Sequence, residues 1–190
     1  MITAIVLAAG RSRRMGQPKM LLPWGETTVL GHVIHMLESA RLDEILVVTG
    51  GAREKVVALV GNSARTLFNP DFQRGEMLSS LQVGLREASG EAELVVLGDQ
   101  PQIRKSSLEL LLEEFARSEP SIIVPSYDMH RGHPWIIPKV HWAEILEMDS
   151  GESLRDFLNR HADDIVYVQV DDPGVLQDLD TPEDYLKSRP

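Results

Sequence analysis

Two runs of consecutive apolar residues, Ile45-Leu46-Val47-Val48 and Leu94-Val95-Val96-Leu97, restrict the fold of this chain more than any other feature. A strand with one face in water alternates apolar and polar residues, so an unbroken apolar run of this length must be covered on both faces, as in a mostly parallel sheet. Further short runs at Thr3 to Leu7, Thr66 to Phe68, Ile122 to Pro125 and Ile165 to Val170, with Glu44 to Thr49 and Leu94 to Leu97, read as strands. Helices must supply the cover. Thr28 can cap a helix in which Val29, Leu30, Val33, Ile34 and Leu37 recur at helical spacing up to Ala40. Similar helices are expected at 77–88, 107–118, 142–147 and 154–161. Alternating strands and helices over the first 125 residues imply a three-layer α/β/α sheet with right-handed crossovers, a Rossmann-like arrangement. Pro125, Pro134, Pro138, Pro173 and Pro182 punctuate the remainder, which is less regular, and part of it is expected to leave the main sheet.

Length and composition fit one domain spanning 1–190. At 43% apolar residues the chain can bury a substantial core, and it has no linker, internal repeat or low-complexity tract. A net charge of −10 argues against an extended surface for nucleic acid or anionic membrane, while a small polyanion bound at one place stays compatible. The absence of cysteine removes disulfides, thiolate chemistry and cysteine-ligated metal centres, and suits a reducing cytoplasm. No apolar run approaches the ~20 residues that span a bilayer. A soluble cytoplasmic protein is expected.

Against that acidic background, the first strand empties into Gly10-Arg11-Ser12-Arg13-Arg14-Met15-Gly16-Gln17-Pro18-Lys19. Here four cations cluster, and none of the 29 acidic residues precedes Glu26. In open α/β sheets ligands bind beyond the carboxyl ends of strands, and this loop follows the first strand directly. Its glycines let backbone N–H groups approach a ligand, and its cations offer donors to phosphate oxygens. Five residues separate Gly10 from Gly16 and Gln17-Pro18 follows, so the loop is not a Walker A motif; a G-x-G-x-x-G dinucleotide signature is also absent. A solvated surface turn is the bland alternative.

Asp99 is the second candidate, set at the end of the apolar run 94–97 with Pro101 just beyond. Mg²⁺ takes one or two carboxylates plus substrate phosphates, so one well-placed aspartate suffices chemically. In Asp178-Leu179-Asp180-Thr181-Pro182-Glu183-Asp184, Thr181 reads as a helix N-cap with Pro182 at the first helical position. Capping and the helix dipole explain Thr181, Pro182, Glu183 and Asp184 but leave Asp180 unassigned, which makes it the second candidate metal ligand. The pairs His32/His35 and His130/His133 lack supporting carboxylates or cysteines. There is no G-x-S-x-G elbow, and Trp24, Trp135 and Trp142 are too dispersed for a stacking platform.

The run Leu7-Ala8-Ala9-Gly10-x-Ser12-x-Arg14-Met15-Gly16-x-Pro18-Lys19 resembles the opening signature of the small nucleotidyltransferases, in the branch that adds a nucleotide to the molybdenum cofactor. The resemblance continues in order through Asn69, Gly75-Glu76-Met77-Leu78-Ser79-Ser80 and Gly84, Gly98-Asp99-Gln100-Pro101, Arg131-Gly132-His133-Pro134, and 178–185. It covers nearly the whole chain. Within that branch, Ala8-Ala9 and Gly98-Asp99-Gln100-Pro101 resemble the cytidylyltransferases; the guanylyltransferase loop looks like Leu-Ala-Gly-Gly.

The resemblance implies CTP as nucleotide, Mg²⁺ as cofactor and molybdopterin or the molybdenum cofactor as acceptor, with transfer of CMP to its terminal phosphate and release of pyrophosphate. It also implies a molybdenum hydroxylase apoenzyme as eventual partner. Arg14, Lys19 and Asp99 take the catalytic roles, and the nucleotide lies against Leu7, Ala8, Ala9, Gly10, Arg14, Lys19, Ser79 and Ser80. Asp99 and Asp180 hold the metal, and Gly132, His133 and Pro134 shape the acceptor side, so the amino-terminal half serves the nucleotide and the carboxyl-terminal half the acceptor. Arg11 and Arg13 face water on this view. Two alternatives stay open: a relative using another nucleotide or phosphorylated acceptor, and a non-catalytic carrier of the pterin cofactor.

Overall fold

A computed structural model of the chain describes all residues except 41, 75, 76 and 119, and all their side chains except that of residue 13. In chain order the elements are β1 (Ile2–Ala8), a two-strand ribbon β2 (Pro23–Trp24) and β3 (Thr27–Thr28), α1 (Val29–Ser39), β4 (Glu44–Thr49), α2 (Arg53–Val60), β5 (Arg65–Phe68), α3 (Met77–Leu85) and β6 (Ala92–Leu97). There follow α4 (Lys105–Arg117), β7 (Ile122–Tyr127), β8 (His130–Arg131), β9 (Trp135–Pro138), α5 (Trp142–Glu147), α6 (Leu154–Arg160), β10 (Ile165–Gln169) and α7 (Pro182–Ser188).

Seven of these strands form one sheet in the order β10-β7-β9-β6-β1-β4-β5, with β8 attached to β7. β1 pairs in parallel with β4 on one side and β6 on the other, Ile5 lying level with Leu46 and Val95. The chain moves outward through β4 and β5, then returns to the far side of β1 as β6. The carboxyl ends of β1 and β6 therefore flank the point where the strand order reverses, the position at which open α/β sheets bind ligands.

Strand alternation assigns the core residues. Ala4, Val6 and Ala8 of β1 join Leu94 and Val96 of β6 on one face, beneath Leu30, Val33 and Leu37 of α1, Val56 of α2 and Leu108 and Leu111 of α4. Ile5, Leu7, Val95 and Leu97 face the other way, against Leu81 of α3, Trp142 and Ile145 of α5, and Phe157 of α6. Both faces are covered, which is why the central runs carry apolar residues at every position. Thr28 caps α1, its hydroxyl accepting from the Gly31 N–H at 3.1 Å.

The later half does not leave the sheet. β9 inserts antiparallel between β6 and β7, with Val95 opposite Trp135 and Ile123 opposite Ile136, and β10 extends the sheet in parallel beyond β7. Pro134 precedes β9 and Pro138 is its last residue, so these prolines bound the strand without interrupting its ladder. The apolar pattern also gives no sign of α2, because Val56 and Val60 are its buried side chains while Val57 stays exposed.

At the amino-terminal edge, the Glu93 carboxyl is wholly buried and finds no partner outside its own backbone among the described residues. Burial raises its pKa well above the carboxylate range. In the unfolded chain this group ionises first, so wild-type stability should fall as pH rises from the ordinary carboxylate range toward the folded-state pKa. Glu93→Gln should remove that slope and be the more stable form at pH 7, measured by urea denaturation across pH 4 to 8.

Candidate active site

The loop after β1 is shaped by its own residues. Ser12 adopts a left-handed conformation (φ 48°), its carbonyl accepts from the Met15 N–H at 3.1 Å, and its hydroxyl accepts from the Lys19 N–H at 3.0 Å. Gly16 supplies the second positive φ, 68°. The loop thus folds back on itself and delivers Lys19 at the start of a short turn in which Met20 is buried. Gly98, following β6, donates its N–H to the Leu7 carbonyl at 3.1 Å, so Asp99 emerges beside the same loop.

A segment from the far end of the chain completes the site. Leu179 is fully buried in a small cluster with Met15, Leu22, Trp24 and Val29, and its N–H donates to the Asp99 carbonyl at 3.2 Å. Burying a leucine is worth ~1.5–3 kcal/mol. This anchor holds Asp178 and Asp180, one on each side of it, at the mouth of the site. Asp180 lies just before the N-cap of α7, where the Thr181 hydroxyl accepts from the Asp184 N–H and Asp184 Oδ2 accepts from the Thr181 N–H in a capping box. Asp184 is thus a structural cap, and Asp180 is free for other contacts.

Lys19 Nζ donates to Asp99 Oδ2 and to Asp180 Oδ1, the latter at 3.1 Å, and Arg14 Nη2 donates to Asp180 Oδ2 at 2.9 Å. The Lys19 and Asp99 side chains are 11% and 13% exposed, whereas Arg14 is 70% exposed. The inner pair therefore carries the electrostatic weight, and the outer one contributes ~0–1 kcal/mol. Burial alone would lower the Lys19 pKa, but Asp99 and Asp180 outweigh it and raise it. Asp178 is a third carboxylate here, accepting from Gln100 Nε2 at 2.7 Å. Burial and the Asp99 charge push its pKa up. It belongs to the 178–185 motif, yet its Asp-x-Asp spacing alone does not say which carboxylate faces the site.

Around this cluster opens a cleft of about 530 Å³, lined by Leu7, Ala9, Gly10, Arg14, Lys19, Ser80, Asp99, Asp178 and Asp180, with Arg11 and Arg74 also on its wall. Ala8 is not on that wall; strand alternation turns its methyl into the core beside Met20 and Leu30. Arg11 is exposed and also stands on the cleft wall, and the side chain of Arg13 lies outside the described residues. Gly75 and Glu76 also lie outside them. A second hollow of about 490 Å³ shares Gly10, Arg11, Ser12 and Phe72 and continues past Gly51.

Asn69 organises the wall opposite the loop. It is buried at the end of β5, donates through Nδ2 to the Ser79 and Ser80 hydroxyls at 3.0 Å each, and accepts at Oδ1 from the Asp71 N–H at 2.9 Å. Ser80 reaches the cleft lining, whereas Ser79 does not.

Gly132, His133 and Pro134 lie at the same sheet edge as Asp99 but outside the cleft lining. A Cβ on Gly132 would meet the Val175 carbonyl at 2.6 Å, and the His133 N–H donates to that carbonyl at 2.9 Å. The His133 ring stacks on Trp135 at 4.1 Å, and burial pushes its pKa down to about 4. These residues support the segment that carries Asp178 and Asp180.

A glycine-bearing cationic loop thus faces paired carboxylates at the switch point of a three-layer α/β/α sheet, a place suited to an anionic ligand. The chain belongs to the MobA-like NTP transferase domain family, whose pattern matches residues 4–165. It is 26% identical over 191 residues to the molybdenum cofactor cytidylyltransferase of Escherichia coli K12, covering 99% of this chain and 95% of that protein. The crystal structure of Rv0371c from Mycobacterium tuberculosis H37Rv superposes with a TM-score of 0.85 at 30% identity, over 99% of this chain and 96% of that one. Rv0371c has also been crystallised with manganese; that structure gives a TM-score of 0.82 at 28% identity, over 99% and 97% of the two chains. Among the described residues, no helix is long and apolar enough to cross a membrane.

Gly50, after β4, leaves no room for a side chain: a Cβ there would meet the Ala9 carbonyl oxygen at 2.3 Å and Phe72 Cβ at 2.7 Å. Gly50→Ala should push the loop away from Phe72 and cost ~1–3 kcal/mol of stability, read from the urea midpoint.

Proposed function

We propose that the protein transfers CMP from CTP to the terminal phosphate of the molybdopterin cofactor, releasing pyrophosphate. The observation that carries this reading is the convergence of Lys19 with Asp99 and Asp180 beside the Leu7–Gly10 backbone. Cations suited to a triphosphate and carboxylates suited to a metal lining one cleft support it. The choice of CTP and of the pterin acceptor is supported by the Ala8-Ala9 form of the loop and by the full-length similarity to the Escherichia coli enzyme.

The donor set at the cleft is all oxygen: Asp99 and Asp180 as ligands, with Asp178 alongside. Hard carboxylate oxygens fit Mg²⁺ or Mn²⁺. When bound there, the metal ion would neutralise triphosphate charge. The remaining chemistry falls to the chain. An oxygen of the acceptor's terminal phosphate, already anionic near neutral pH, bonds to the α-phosphorus of CTP. The bond from that phosphorus to the oxygen bridging to the β-phosphate breaks, and pyrophosphate leaves with the electron pair. No general base is needed, so catalysis is alignment and charge stabilisation. Lys19 and Arg14 stabilise the triphosphate and the departing pyrophosphate. The Leu7–Gly10 backbone and Ser80 contact base or ribose, with Ser79 held beside Ser80 by Asn69. The 132–134 segment acts on the acceptor side by shaping the support beneath Asp178 and Asp180. A molybdenum hydroxylase apoenzyme would receive the product.

Pyrophosphate release measured with CTP, GTP and ATP, in the presence of Mg²⁺ and purified molybdenum cofactor, should be selective for CTP. Preference for GTP or ATP overturns the assignment of the base, and tight pterin binding without turnover overturns transfer itself. Asp99→Asn should stay folded by circular dichroism while turnover falls by roughly 10²-fold or more; near-normal turnover removes Asp99 from the metal site. Lys19→Ala should weaken CTP binding more than CMP binding in calorimetry, and equal losses would contradict its contact with the outer phosphates.

A further inference from the structure

Away from the cleft, the chain carries two His-x-x-acid pairs twenty residues apart, His141/Glu144 and His161/Asp164. None of the four residues lines the cleft. The fold brings the pairs together where the start of α5 meets the end of α6. One donor atom each from His141, His161 and Asp164 lie within 4.8 Å of one another. Packing fixes the rings: His141 stands edge-on to Phe157 at 5.6 Å and to His161 at 4.6 Å, and Phe157 is itself fully buried.

Both nitrogens of His161 face carboxylates. Nε2 lies 2.6 Å from Glu144 Oε2, and Nδ1 lies 3.1 Å from Asp164 Oδ2. Glu144 is itself held by Arg160, whose Nε donates to Oε1 at 2.9 Å. With the Nε2 proton donated to Glu144, the Nδ1 lone pair and the Asp164 oxygen face each other across 3.1 Å. Two acceptors stand so close only with a cation between them, either a second ring proton or a metal ion. Donors on a tetrahedral zinc ion with bonds of ~2.0–2.2 Å stand roughly 3.4 Å apart, close to the spacing this pair already has.

We propose that His141, His161 and Asp164 form a site for a zinc-like divalent ion, distinct from the oxygen-lined cleft, with Glu144 as the positioning residue that orients His161. Two imidazoles and one carboxylate select zinc and its late transition-metal neighbours, whereas Mg²⁺ prefers oxygen alone. The hydrogen bond from a ligating histidine to a carboxylate is the usual way its ring is oriented on zinc. His141 is buried, and burial and the neighbouring His161 lower its pKa. The opposing carboxylates raise that of His161 despite burial. Asp164 is exposed, so its side chain can close the remaining gap. The bound ion would pin α5 to α6 over the core face formed by Trp142, Ile145 and Phe157.

The test uses the chelator-treated full chain, titrated with Zn²⁺ in a calorimeter and with Co²⁺ in a spectrophotometer. Wild type should hold one Zn²⁺ that Asp99→Asn does not abolish, and Co²⁺ should give the visible bands of tetrahedral coordination. His161→Gln and Asp164→Asn should each weaken Zn²⁺ binding at least tenfold and remove those bands. Because Asp164 is exposed, its variant reports binding without disturbing the core. Zn²⁺ should raise the Tm of wild type but not of Asp164→Asn. Zn²⁺ binding unchanged in both site variants, abolished by Asp99→Asn alone, or absent from wild type would each overturn the proposal.

Discussion

An ammonium group held between two carboxylates contributed by distant parts of the chain organises this molecule. Lys19 comes from the first loop, Asp99 from the end of β6 and Asp180 from the last fifteen residues. Removing one member of such a largely buried pair leaves an uncompensated charge and costs ~3–5 kcal/mol, so the three segments are tied energetically as well as spatially. What makes the arrangement affordable is apolar: Leu179, wholly buried beside Met15 and Trp24, clamps the carboxyl-terminal segment against the loop. Two carboxylates flank that anchor. On the function proposed above, the cluster would exchange its internal pairs for a metal ion and a polyphosphate, because both partners of each pair would find new ones.

The sheet supplies the geometry that local sequence cannot. Reversal of strand order beside β1 sets the carboxyl ends of β1 and β6 side by side, and the Gly98 N–H bonded to the Leu7 carbonyl fixes their relative height. The insertion of β9 between β6 and β7 has a second effect. It carries Gly132 and His133 to the edge where Val175 packs, so the 132–134 segment acts as a support under the carboxyl-terminal segment and not as cleft lining. Asn69 does comparable work on the opposite wall by tying β5 to the first turn of α3.

Much of the architecture is legible in the residues. Unbroken apolar runs announced strands covered on both sides, and the caps at Thr28 and Thr181 fall where their residue types place them. The errors have physical causes. The prolines around β9 suggested departure from the sheet, but a proline at a strand end forfeits no ladder bond the strand needs. Strand alternation turns the Ala8 methyl into the core, and the loop after β1, not the strand pattern, sets Arg11 on the cleft wall. The histidine pairs at close spacing, His32/His35 and His130/His133, drew notice in the sequence. The pair that meets in space, His141 and His161, is separated by two helices and gives no local signal.

By itself, the sequence determined which segments are strands and helices, where they are capped, and that a cationic glycine loop follows the first strand, because those follow from periodicity and from residue types acting on their neighbours. Its motifs also named Asp99 and Asp180 as a pair. Only the tertiary structure decided that Lys19 bridges them, that Asp178 joins them, that Leu179 is the anchor, and that two His-x-x-acid pairs face each other. Each of these is a contact between residues separated by seventeen or more positions, and such contacts are set by strand order and burial, which no local pattern encodes.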